Sequence, residues 1–133
     1  MSTLKVANLQ NTGSGAPTVK NSSGTEVGQF AKAWVNFNGR NTPSIRDDFN
    51  VSSITDLGTG KYKITFTNSL ANANYAIGGS AAELGSTGFN DVFFGAGRST
   101  NYSDIQTTTF CTVTTSTSSH VDRDIIMAII FGD

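Results

Sequence analysis

The side chains able to do chemistry are few, and they sit in two acidic stretches. In residues 119–124 (SHVDRD), His120, Asp122 and Asp124 alternate, so an extended backbone would put all three on one side. That is the residue set of a metal site or an acid–base cluster, but it also reads as a polar turn leading into a buried strand. His120 is the only histidine, which excludes a two-His metal site within one chain; in a trimer, three copies of His120 could still ring the axis around a metal. Asp47 and Asp48, next to Arg46, have the residue types of glycoside hydrolysis. Neighbours on a strand point to opposite faces, however, so an ion pair between Arg46 and an acidic neighbour is the expectation instead. Trp34 and Tyr102 could stack on sugars, although Trp34 falls opposite Val35 and Phe37 and equally suits packing between subunits. Cys111 is alone, so there is no internal disulfide, and no G-x-S-x-G elbow, P-loop or G-x-G-x-x-G fingerprint occurs. No catalytic residue, metal ligand or cofactor site is assigned, and the expectation is a protein that is not an enzyme.

Composition narrows the class further. Nine basic residues against ten acidic ones give no basic field for a nucleic acid, and none is expected as a partner. Ser, Thr, Asn and Gly make up 59 of the 133 residues, a mixture that favours strands and tight turns. Leu, Ile, Val and Phe total only 31, so the core is thin and partner subunits are expected to help bury apolar surface. The first ten residues, MSTLKVANLQ, do not resemble a signal peptide, and the longest apolar run, Ile125–Phe131, is too short to insert in a membrane as a spanning segment.

The elements that would position these residues follow from periodicity. Residues 1–29 spread Leu4, Val6, Leu9, Val19 and Val27 among Gly-rich linkers and read as an extended arm that docks on a larger particle through Leu4, Val6 and Leu9. Residues 30–133 read as one domain. Ala31, Ala33, Val35 and Phe37 share one face of a strand; Tyr62, Ile64 and Phe66 share one face of another, opposite Lys61, Lys63 and Thr65. Further strands are expected at 44–49, 51–54, 75–80, 91–95, 107–115 and 124–131. Roughly eight short strands between turns predict an all-β fold, a single antiparallel β-sandwich of jelly-roll-like kind. The last strand is apolar on both faces, Ile125, Met127, Ile129 and Phe131 on one and Ile126, Ala128 and Ile130 on the other. It is therefore expected to contribute to a subunit interface, assigned to Trp34, Ile126 and Ile130. Phe89, Asn90, Arg98, Asn101 and Tyr102 join loop position, polarity and aromatics, and are the candidates for a surface facing a partner.

Residues 32–39 (KAWVNFNG), 44–62 (SIRDDFNVSSITDLGTGKY) and 64–67 (ITFT) closely resemble a segment recurrent in tail-fibre and appendage proteins of tailed, particularly marine and cyanophage-like, bacteriophages. Residues 2–17, 74–80 (NYAIGGS) and 125–133 (IIMAIIFGD) are similar to other parts of the same pattern, and residues 81–103 match it least. The resemblance implies a virion structural protein, assembled in the host cytoplasm as a homotrimer, that contacts other virion proteins and a glycan or protein of the host surface. It implies no catalytic residues. Fibres of this kind are usually much longer, so the expectation divides between a small fibre tip or knob and a head-decoration protein, with a glycan-degrading depolymerase as the remote alternative.

Overall fold

A computed structural model of the chain describes residues 3, 5–10, 17–85, 93–97, 99, 101–117 and 119–132. The chain divides into two compact units, residues 1–30 and 31–133. In the first, β1 (Val19–Lys20) and β2 (Glu26–Gly28) pair antiparallel. Asn21 builds the turn between them: its Oδ1 accepts the amides of Ser23 at 3.1 Å and Thr25 at 2.9 Å, and Gly24 takes φ +83°. This Asx turn is why the arm, expected to run extended, doubles back at residues 21–25.

The second unit contains β3 (Ala33–Asn38), β4 (Ser44–Phe49), β5 (Val51–Asp56), β6 (Lys61–Phe66), β7 (Ala76–Ala82), β8 (Phe93–Ala96), β9 (Phe110–Ser116) and β10 (Ile125–Phe131), with one 3-10 turn, η1 (Tyr102–Asp104). Two four-stranded antiparallel sheets form, in the orders β4-β3-β10-β7 and β5-β6-β9-β8. The expected all-β antiparallel sandwich is what the chain adopts, and its first and last strands, β3 and β10, lie side by side. Alternation chooses the inward faces. Ala33, Val35 and Phe37 of β3, Ile126, Ala128 and Ile130 of β10, Tyr62, Ile64 and Phe66 of β6, and Cys111 and Val113 of β9 are all buried in one core. The Phe37 ring meets the Tyr62 ring edge-on at 5.2 Å, joining the two sheets. Gly79 of β7 has no room for a side chain, since a Cβ there would lie 2.6 Å from the Phe94 ring packed beneath it.

Chain direction gives the sandwich two distinct ends. At the end where the chain comes in at Ala31, the Lys32 amide donates to the Ile130 carbonyl (2.8 Å) and that of Phe66 to Thr109 (2.9 Å). At the opposite end, the Gly39 amide donates to Arg123 (2.9 Å) and that of Thr115 to Gly60 (2.9 Å).

The break between β4 and β5 falls at Asn50. Asn50 sits in the left-handed region at φ 58°; its Oδ1 accepts the Asn68 amide (2.8 Å), and its Nδ2 donates to the Lys32 carbonyl (3.0 Å) and the Asn68 carbonyl (3.2 Å). One side chain thus pins the crossing from the first sheet to the second. Asn50→Ala removes these bonds and puts a Cβ residue without local compensation at positive φ, so it should lower stability by about 2–3 kcal/mol. Asn50→Gly, which keeps the backbone relaxed, should cost roughly half as much. Denaturant unfolding of the two variants measures the difference.

Candidate functional site

The acidic residues that could have done chemistry are committed to holding the Gly39 end together. Asp122 Oδ1 accepts the Gly60 amide at 2.6 Å and the Tyr62 hydroxyl at 2.8 Å, with the Gly39 carbonyl 3.0 Å from the same hydroxyl. Burial first, and then Asp122, pushes the Tyr62 phenol well above its ordinary pKa. Asp124 accepts the Leu84 amide at 3.0 Å and lies 3.0 Å from Arg40 Nε; the amide, and then the guanidinium, hold its carboxyl below the usual range. Glu83 bridges Arg40 and the buried Arg123. His120 is exposed and bridges to Ser116 through the backbone. Among the described residues, no group of three His, Cys, Asp or Glu side chains is placed to hold a metal ion.

The other chemical candidates separate as well. Asp47 is paired with Asn36 on the outside of its sheet, whereas Asp48 is opposite Val35 and accepts the Val51 amide at 3.3 Å. The expected ion pair of Arg46 with an acidic neighbour does not form. A register shift falls beside Arg46, between the Asn36–Asp47 and Phe37–Ile45 pairs, and its guanidinium turns to Asn36 Oδ1 (3.4 Å) and the Asp124 carbonyl (2.6 Å). Cys111 is fully buried and its thiol is pushed up to about 12 by desolvation, so it is a core residue rather than a nucleophile.

Of the loop candidates, Phe89, Asn90 and Arg98 lie outside the described residues, as does Leu4 of the arm. Val6 and Leu9 are exposed. Asn101 and Tyr102 are exposed at η1, where the Tyr102 hydroxyl donates to the Ala73 carbonyl (2.7 Å) and Gln106 Nε2 donates to the Ala73 and Tyr75 carbonyls (2.5 and 3.3 Å). The Tyr102 hydroxyl is thus occupied by the scaffold, while its ring remains accessible. These bonds put η1 at the Ala31 end. The strands flanking residues 86–92 instead finish at the Gly39 end, since Ala82 pairs with Ile125 and Phe93 with Ser116.

The two sheets differ on their outer faces. On β5-β6-β9-β8, Ser53, Thr55, Lys61, Lys63, Thr65 and Thr114 face outward, with Lys63 5.5 Å over the Phe110 ring. On β4-β3-β10-β7, the outward positions include Phe49, Trp34, Met127, Ile129 and Phe131, paired across the strands with each other or with Asn36, Ala76, Gly78 and Ser80, and the polar Asn36 and Asp47 lie on the same face. Phe49 is 52% exposed, and Met127, Ile129 and Phe131 are 41, 37 and 39% exposed. Trp34, Asn36, Gly79, Ser80, Met127 and Ile129 help line a shallow groove of about 410 Å³ on this face. The interface assignment of Ile126 and Ile130 is thereby corrected. Both are fully buried inside the sandwich, because pairing with Phe37 and Ala33 turns them inward, and the other face of β10 looks out. Trp34 does lie on the outer face. Met127, Ile129, Phe131 and Phe49 were missed; the signal for the first three was the second apolar face of the last strand.

In comparisons with known proteins, no family model matches this sequence, and no curated protein or solved structure matches it.

The depressed carboxyl of Asp124 gives a pH test. A group with a lowered folded-state pKa contributes stability above its unfolded value, about 3.9, and loses that contribution as pH falls through the folded value. Asp124→Asn should therefore be less stable than the natural chain at neutral pH, and the gap should close below about pH 4. Thermal melts across that range check it, and a gap that persists unchanged at low pH would contradict it.

Proposed function

We propose that the chain is a non-enzymatic structural protein of a bacteriophage virion, a homotrimeric tail-fibre or appendage domain that attaches to the host surface. The observation that carries this reading is the contrast between the outer faces: a solvated one rich in Thr, Ser and Lys, and an apolar one built for association. The resemblance of residues 32–67 supports it, since those residues supply β3 to β6 and hence two strands of each sheet. In this reading the arm docks the domain on other virion proteins through Leu4, Val6 and Leu9. The host-facing surface in this reading is the Gly39 end, where Asn41, Thr42, Gly58, Thr59 and His120 are exposed. Head decoration is the alternative role for the same module.

Immunogold labelling of particles separates the two roles: label is expected on tails, and label on heads would assign the protein to the shell. Removing residues 1–29 should abolish incorporation into particles while leaving a folded domain. In adsorption assays, Thr42→Arg should reduce host attachment, whereas Asn101→Arg, at the Ala31 end, should leave it near normal. Equal effects of the two would remove the polarity of the reading.

A further inference from the structure

We infer that the outer face of the β4-β3-β10-β7 sheet is covered by a second copy of this chain, seated on Trp34, Phe49, Met127, Ile129 and Phe131. The inference rests on the oligomeric part of the proposed function and names the surface that makes the oligomer.

The occupant follows from the strand itself. Ile125–Phe131 is a seven-residue run with high β-propensity, no charge and no proline, the composition of segments that zip into aggregates when uncovered. Four of its seven side chains, those of Ile125, Met127, Ile129 and Phe131, lie on the outer face. A partner met only occasionally would leave this surface bare in every free molecule. A second copy is the one chain present at matching concentration whenever the protein is made.

Charge on the rim fits a copy. Lys32 precedes β3 on the same alternation as Trp34, at the Ala31 end of the face; Asp47 lies opposite Asn36, four residues further along β3. Neither has an ion-pair partner among the described residues. Opposite charges displaced along one face let Lys32 of each copy meet Asp47 of another, whether the copies meet in pairs or close a ring. Size fits as well. Four strands about 4.8 Å apart and seven residues at about 3.4 Å span roughly 19 by 24 Å, or about 450 Å² in projection. With side-chain relief and the polar rim of Asn36, Asn38 and Ser80, this approaches the ~800 Å² per partner of a standard interface. The groove beside Trp34 and Met127 gives an aromatic side chain of the copy a seat.

Light scattering on the full chain at micromolar concentration, with circular dichroism to verify the fold, tests the inference. The natural protein is expected as an oligomer, Ile129→Asp as a folded monomer, and Thr65→Lys, on the solvated sheet, as an oligomer of unchanged mass. A monomeric natural protein overturns both this inference and the oligomeric reading. A folded Ile129→Asp of unchanged mass overturns this inference alone, and a dimer keeps it while removing the three-fold part of the reading above. Should Ile129→Asp fail to fold, charge exchange decides. Lys32→Glu should weaken association at least about tenfold, and adding Asp47→Lys should restore it; no change in either variant overturns the inference.

Discussion

The contact of Phe37 with Tyr62 is the constraint on which the rest of the domain depends. It is the point where the two sheets touch through aromatic rings, and the Tyr62 hydroxyl carries the contact on to Asp122 and Gly39. Gly39 has to be a glycine here, because a Cβ would collide with that hydroxyl and with Ile126. One residue thus fills the core and closes the hairpin loop after β3. Asp122 in turn fixes Gly60, and the adjoining Arg123 and Asp124 gather Arg40 and Glu83. A chain with so little aliphatic surface uses polar bonds at the edge of the core to define the relative position of its sheets, and buried phenol and guanidinium groups without such partners would be costly.

Much of this was legible in the residues. The alternation of β3 and β6 is legible because their outward positions, Trp34 apart, are polar, so Val35, Phe37, Tyr62 and Ile64 could be assigned to the interior directly. The β10 strand could not be read in the same way. Both of its faces are apolar, and alternation fixes only which residues share a face, leaving which face turns inward to the pairing with β3. That register, with Ile126 beside Phe37 and Ile130 beside Ala33, is a long-range property, and it reversed the interface assignment. Arg46 failed for a related reason, since a register shift beside it re-aims a side chain in a way that spacing does not announce. The hairpin at residues 19–28 had its signals in Asn21 and Gly24, but the poverty of apolar residues around them outweighed those signals.

The thin composition has an effect different from the one it first suggests. A shortage of aliphatics predicted a domain that borrows its core from neighbours, yet the interior of the sandwich is filled by its own Phe37, Tyr62, Ile64, Ile126 and Ile130. The apolar surplus is instead outside, on the β4-β3-β10-β7 sheet and on loop residues such as Leu57 and Leu84. A chain this short of large apolar side chains that still spends Trp34, Phe49, Met127, Ile129 and Phe131 on an exposed face has gained nothing from them as a monomer, because solvated Thr and Lys on the other sheet serve that purpose. The association inferred above would realise their free energy of burial.

Association through that face, as inferred above, would also decide what is left for recognition. With that sheet covered, the surfaces still open would include the Thr- and Lys-rich sheet and the Gly39 end. The latter is the better candidate on physical grounds. Its loops are held by Tyr62, Asp122, Glu83 and the two arginines, so their backbones are positioned before any partner arrives and little ordering entropy is lost on binding. The η1 turn, held by Tyr102 and Gln106, stands at the other end of the sandwich, and the Tyr102 hydroxyl it would offer a partner is already engaged by the Ala73 carbonyl.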